Sequence, residues 1–304
     1  MGQGRRRSRG TSTGIAIASR TATESVRQWL QTQGTVQSTC LVASLDEAMQ
    51  LCPRPVAAIV ASRPRDHVRD SLDALARGLH VLVEKPISPA AVDGERLLLA
   101  ARAAGKVLAI GTEFAFLPAL HAVAETLKEY LQGAVRLTLD WDDPAHEVRH
   151  GEVKAHHGET SVVIDLLAHA VSIFDILVPQ TGVDVVDVDL SADGNVGHVV
   201  LRDSKGGRFV LLCNRSAAAR RRRLTIDVGS THATVDFSSN PPLVVIDGNP
   251  CGIPEDILAL DSTLRLELGA FLTEISGQGP AEPPISSRIP NHLRLQAQLE
   301  NALG

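Results

Sequence analysis

Apolar, β-branched runs alternate with capped helical patterns from Gly14 to Gly111, and this alternation constrains the chain more than any other feature. Gly14-Ile15-Ala16-Ile17-Ala18, Val56-Ala57-Ala58-Ile59-Val60, His80-Val81-Leu82-Val83 and Val107-Leu108-Ala109-Ile110 are short continuous apolar runs. Strands buried on both faces read this way. Thr21-Ala22-Thr23-Glu24 and Ser44-Leu45-Asp46-Glu47 are capping boxes, in which hydroxyl and acid satisfy the first turn of a helix reciprocally. Further helical patterns cover Val68–Arg77 and Ala90–Ala104, closed by Gly78 and Gly105, which can adopt the left-handed conformation that ends a helix. Strand–helix–strand repeats wind into a parallel sheet with helices on both faces. The expected class is α/β, a Rossmann-like doubly wound parallel sheet.

After Gly111 the rhythm changes. A helix near Ala119–Leu131 leads to an alternating strand, Ala134–Asp140, and then to a polar loop carrying His146, His150 and the pair His156-His157. An apolar helix follows from about Thr160 to Leu177. From Val183 to Ile246 short strands are punctuated by Asp-Gly and Gly-Gly turns, the mark of antiparallel hairpins. Two helices, around Ser262–Ser276 and Asn291–Ala302, flank the Pro-rich linker "GPAEPPISSRIP". The expected organisation is a disordered basic tail over residues 1–10, a Rossmann-like nucleotide-binding domain over 11–118, and an α+β substrate and oligomerisation domain over 119–304 with a mostly antiparallel sheet.

Composition excludes several classes of function. A net charge of -5 argues against nucleic acid, and 3% aromatic residues against stacking platforms for single strands. The basic run Arg5-Arg6-Arg7-Ser8-Arg9 reads as a solvated tail. No apolar stretch has transmembrane length, and the start lacks the apolar segment of a signal peptide. Cys40, Cys52, Cys213 and Cys251 form no CxxC pair, which fits reduced thiols and a cytoplasmic location. The histidines of the polar loop lack metal-ligand spacing, so no metal is expected.

Two stretches carry chemistry. In "HVLVEKPIS" an apolar strand ends in Glu84-Lys85-Pro86, because proline cannot continue the ladder. Ligands of open α/β sheets bind at the carboxyl ends of strands. Lys85 is thus a candidate reacting group, although an ordinary strand-end lysine would look the same. In "TSVVIDLLAHAVSIFDIL" Asp165 and His169 sit four apart inside an apolar helix and share one face. A carboxylate beside an imidazole can fix its tautomer, which suits a general acid or base. A self-satisfied buried pair has the same spacing.

Taken together, the stretches resemble the Gfo/Idh/MocA oxidoreductase family. "ASRPRDH", "GLHVLVEKPIS", "GTEFAFLP", "RRRRLTIDVGSTHATVDF" and "STLRLELGAFLTEI" follow its order, so the likeness covers nearly the whole chain. The resemblance implies an NAD(P)-dependent oxidoreductase acting on a carbonyl or hydroxyl carbon of a polar small molecule such as a sugar, a cyclitol or a biosynthetic intermediate. It implies Lys85, Asp165 and His169 as catalytic residues. Ser19, Arg20, Thr21, Ser62, Arg63, His67, Glu84, Lys85 and Pro86 are implied as cofactor contacts, with NAD or NADP as the cofactor. It also implies a cis Lys85–Pro86 bond, a homo-oligomer, a small-molecule substrate as partner, and neither membrane nor nucleic acid.

The chain departs from the family pattern in places. Ala18-Ser19-Arg20-Thr21-Ala22-Thr23 contains no glycine where a G-x-G-x-x-G loop belongs, so a pyrophosphate meets side chains there and Arg20 becomes its available contact. The span between the first strand and Lys85 reads short by roughly one βα unit, and no acid closes a clear second strand. Ala115 replaces an arginine and Ser172 an aspartate common in relatives. Two alternatives therefore stand beside the enzyme: a catalytically degenerate member acting as a binding or scaffolding subunit, and redox-neutral chemistry with tightly held NAD.

Overall fold

Each apolar run of the first third becomes a strand. In the computed structural model, β1 (Ile15–Ala18) pairs in parallel with β2 (Thr39–Val42), in register from Ile15 opposite Thr39 to Ala18 opposite Val42. Residues 15–18, 39–51, 54–146, 148–149, 152–153, 159–179, 182–251, 263–277 and 284–304 are described. The chain falls into two compact units, Met1–Ala58 and Ile59–Gly304. The basic tail, the loop Ser19-Arg20-Thr21, the first capping box, His150 and His156-His157 lie outside the described residues.

Strand β2 corrects the expectation of a missing βα unit. Its four residues, Thr-Cys-Leu-Val, lie between polar neighbours in a stretch that reads as one continuous segment, and their parallel pairing with β1 restores the alternation. Helix α1 (Leu45–Ala48) follows, with the Ser44 hydroxyl accepting from the Glu47 N–H and the Glu47 carboxylate accepting from the Ala43 N–H at 2.8 Å.

Strand β3 (Ala57–Val60), helix α2 (His67–Ala76), strand β4 (His80–Val83), helix α3 (Ala91–Ala103) and strand β5 (Leu108–Ile110) continue the pattern. β4 lies between β3 and β5, parallel to β5, with Val81 and Val83 fully buried. A 3-10 turn over Glu113–Phe116 then leads into α4 (Pro118–Leu127), which proline opens at its first position.

The large sheet begins with β6 (Arg136–Pro144), followed by the small hairpin of β7 (Val148–Arg149) and β8 (Glu152–Val153) and by helix α5 (Val162–Leu177). Then come β9 (Val183–Leu190), β10 (Val196–Asp203), β11 (Arg208–Ala217), β12 (Arg221–Val228), β13 (Thr231–Asp236), β14 (Leu243–Ile246) and β15 (Asn249–Pro250). Eight strands form one sheet in the order β15-β14-β13-β12-β6-β11-β10-β9. It is antiparallel except between β6 and β11, as its hairpin turns predict. Helices α6 (Thr263–Ser276) and α7 (Arg288–Leu303) close the chain.

Period-two patterning places the core. Leu137, Leu139 and Trp141 of β6 and Leu224 and Ile226 of β12 point to the face that α5 covers. That helix is apolar on nearly all sides, and it is buried almost along its whole length. Any polar side chain on it is therefore delivered into the interior. Among the described residues no helix is long and apolar enough to cross a membrane.

Candidate active site

Lys85 stands just beyond the last residue of β4, where Pro86 ends the ladder through a cis Lys85–Pro86 bond. Its Nζ donates to Asp165 Oδ1 at 2.8 Å, an ion pair between two partly buried side chains. Asp165 lies in the first turn of α5, where a carboxylate also complements the amino-terminal end of the helix dipole. Burial alone would raise the Asp165 carboxyl. The Lys85 ammonium outweighs that, with His169 and Arg215 adding to it, and holds the group below its ordinary range.

His169 lies one turn further on and is 4% exposed. Its ring stacks on Trp141, 5.4 Å away at 14°, and meets the edge of Phe114 at 5.1 Å. Arg222 covers the ring of Trp141 at 4.4 Å, and Asp143 accepts from both Nε and Nη2 of Arg222, at 3.1 and 2.6 Å. Burial pushes His169 well below its ordinary pKa, the Lys85 charge pushes it further, and Asp165 opposes in part. The ring is thus neutral at ordinary pH. The two residues of the D-x-x-x-H motif remain neighbours on α5, but Asp165 accepts its hydrogen bond from Lys85.

The other predicted residues take separate places. His67 is buried, with Nδ1 2.8 Å from Pro86 O and Nε2 2.9 Å from Ser62 O, so its ring fastens the loop after β3 to the Lys-Pro turn. Ser62 presents a buried hydroxyl with no hydrogen-bond partner, and Arg63 is exposed. Pro86 is buried. Glu84 packs its carboxylate on Gly111, where an added Cβ would come within 3.2 Å of Oε2. Burial, then the neighbouring Glu113, pushes the Glu84 carboxyl up.

Two further carboxylates, Glu113 and Glu267, line this place without having been singled out in the sequence, whereas Trp141, Asp143 and Arg222 lie in stretches whose sequence leaves a substrate contact or a structural or solvated role open. The carboxylate of Glu113, on the 3-10 turn, lies 3.7 Å from His169 Nδ1. Glu267 of α6 accepts from the Thr112 N–H, and burial pushes its carboxyl up to about 7. Arg222 lies over the Trp141 ring, and Asp143 joins the two by accepting from Arg222 and facing the indole N–H. An acid directly after a strand end was the available signal for Glu113. Glu267 left none, because an acid inside an amphipathic helix reads as solvated. Among the described residues no group of three or more His, Cys, Asp or Glu side chains is placed to hold a metal ion.

A cation at a strand end, a buried neutral imidazole and carboxylates of unequal acidity can stabilise a developing alkoxide and move a proton. Residues 3–112 match the sequence model of the Gfo/Idh/MocA family, described as an oxidoreductase family with an NAD-binding Rossmann fold. No curated protein matches the chain by sequence. Among solved structures it is similar to KijD10, a 3-ketoreductase from Actinomadura kijaniata in complex with NADP, at 18% identity over 95% of this chain and 88% of that one, with a TM-score of 0.74. It is similar as well to GnnA, the UDP-N-acetylglucosamine 3-dehydrogenase of Acidithiobacillus ferrooxidans, at 19% identity over 96% and 90% of the two chains, with a TM-score of 0.65. At these identities the shared feature is the fold. Residues 3–112 thus match the sequence model of the Gfo/Idh/MocA oxidoreductase family, and the chain shares the fold of these two enzymes over nearly its whole length.

Proposed function

We propose that the protein transfers a hydride between NAD or NADP and a carbonyl or hydroxyl carbon of a polar small molecule, with Lys85, Asp165 and His169 at the reacting end. The observation that carries the reading is the Lys85–Asp165 ion pair one helical turn from the buried, neutral His169. Lys85 supplies positive charge where an alkoxide develops, and Asp165 keeps that ammonium oriented. His169 is the proton-transfer group, neutral and desolvated, so that it is ready to accept a proton from a hydroxyl or return one to a carbonyl oxygen. The bound nicotinamide would give or take the hydride itself.

The residues fit the nicotinamide end of a dinucleotide. The orphaned Ser62 hydroxyl and the Lys85 ammonium follow neighbouring strands, β3 and β4, and both suit a ribose or carboxamide. His67, Glu84 and Pro86 shape that end of the site. Ser19, Arg20, Thr21 and Arg63 are assigned to the phosphates, with residues 11–118 as the cofactor domain and 119–304 as the substrate domain. Among substrates a nucleotide-linked sugar is favoured, since the two enzymes of similar fold are named for a ketoreductase and a UDP-sugar dehydrogenase. Self-association is assigned to the uncovered face of the large sheet, where Val196 and Leu212 are exposed on neighbouring strands.

Fluorescence titration with NADH and NADPH, followed by turnover with keto- and hydroxy-sugars in free and nucleotide-linked form, tests the reading. Binding of one cofactor and its consumption by one sugar class is expected. A second reading, a scaffolding subunit, is favoured by the glycine-free stretch Ala18–Thr23. Absence of binding at millimolar cofactor, together with an intact cellular role in Lys85→Ala and His169→Ala, would put it in place of the enzyme.

A further inference from the structure

We propose that Glu113 is the proton partner of His169, exchanging a proton with Nδ1 of the ring and so deciding whether Nε2 takes or gives the substrate proton. Its use in turnover rests on the oxidoreductase reading. The coupling of the two side chains is a property of the unliganded protein and is tested as such.

Nδ1 of His169 is buried with no hydrogen-bond partner, and a Glu113 carboxylate oxygen lies 3.7 Å from it. A modest side-chain rotation brings the pair to hydrogen-bond distance, and catalytic contacts are commonly long before ligands bind. A buried ring beside an ammonium cannot retain a second proton, so a proton received at Nε2 has to leave through Nδ1. The other nearby carboxylates are committed. Asp165 accepts from Lys85, and Asp143 holds Arg222 and faces the indole N–H of Trp141. Glu113 differs from both, because burial has raised its proton affinity.

The turn that carries Glu113 is held from several sides. Glu267 accepts from the Thr112 N–H, His121 Nε2 lies 2.9 Å from Ala115 O, and Arg288 covers Phe116 at 5.0 Å. Phe114 packs against Trp141, His169 and Phe237 at once. Charged groups face the pair from each neighbouring element: Lys85 after β4, Asp165 on α5, Asp143 on β6, Arg222 on β12, and Glu84 and Glu267 behind Glu113.

In the oxidative direction the substrate O–H bond breaks and its proton goes to Nε2, while the Nδ1–H proton passes to the Glu113 carboxylate. The carbon loses hydride to the oxidised nicotinamide, the C=O bond forms, and the ring stays neutral throughout. Reduction runs the same transfers backwards. Glu113 acts through His169 and is a positioning residue.

The test uses the unliganded protein with 15N-labelled histidine and 13C-labelled glutamate side chains, titrated between about pH 5 and pH 9. The His169 resonances are assigned through their contacts with Trp141. The expected result is one inflection shared by the Glu113 carboxyl and the His169 tautomer signals, lost in Glu113→Gln and regained in part in Glu113→Asp. Wild-type titrations in which the two groups move independently would overturn the proposal, as would identical His169 spectra in wild type and Glu113→Gln. In turnover, Glu113→Gln should lower kcat about 10²-fold and remove one limb of its pH profile, with the cofactor KM unchanged. An unaltered limb refutes the relay. Failure of the wild type to bind nicotinamide cofactor refutes the functional reading alone, since the spectra still decide the coupling.

Discussion

Replacing Glu267 by glutamine should stabilise the protein, and the gain should grow with pH. Glu267 is 3% exposed on α6, and its carboxyl titrates near 7 instead of near 4.5 because burial disfavours its charged form, with Glu113 and Glu84 adding repulsion. The unfolded chain gives up this proton near pH 4.5, whereas the folded one keeps it until about pH 7. Between those values the native state binds more protons, so rising pH removes stability. A gap of this size corresponds to about 3 kcal/mol at pH 8. Glutamine keeps the acceptor for the Thr112 N–H and never ionises. Urea unfolding of both proteins at about pH 4.5, 6, 7 and 8 should show little difference at the lowest pH and about 3 kcal/mol in favour of Glu267→Gln at the highest. A stability difference independent of pH would refute the reasoning, because it would mean that Glu267 ionises in the folded protein as it does in water.

Other outcomes follow from the same physics. His292 is buried with both ring nitrogens unpartnered, which pushes its pKa down to about 4. The unfolded chain therefore binds the proton first as pH falls from about 6.5, and His292→Leu should remove an acid-side loss of about 3 kcal/mol, read as a flatter melting profile between about pH 6.5 and 4. Phe209 is fully buried and its ring stacks on Phe174 at 5.5 Å. Phe209→Ala should cost about 3–5 kcal/mol in denaturant unfolding, with the far-ultraviolet spectrum retained.

The strands of the first third could be read directly because continuous apolar runs have few other folded uses. β2 escaped because its four residues lie in a polar frame and their partner strand is 24 residues earlier in register. The large sheet was legible from its turns, although the parallel pairing of β6 with β11 is a long-range choice that no local signal records. At the site, Lys85, Asp165 and His169 announced themselves as polar residues in apolar surroundings. Their pairing did not: Asp165 reaches a lysine 80 residues away in preference to the histidine four residues along. Glu113 and Glu267 owe their character to burial by distant elements, a property that only the folded chain possesses.

In the proposed reaction Lys85, paired with Asp165, provides the charge on which the chemistry depends. Measuring kcat, cofactor Kd and Tm of Lys85→Ala beside wild type addresses it most directly. The ion pair is partly exposed, so its loss should cost about 1–2 kcal/mol of stability, less than for a fully buried pair. Lys85→Ala should stay folded, still bind nicotinamide cofactor and lose at least about 10³-fold in kcat. Turnover within a few fold of wild type in that variant would contradict this dependence.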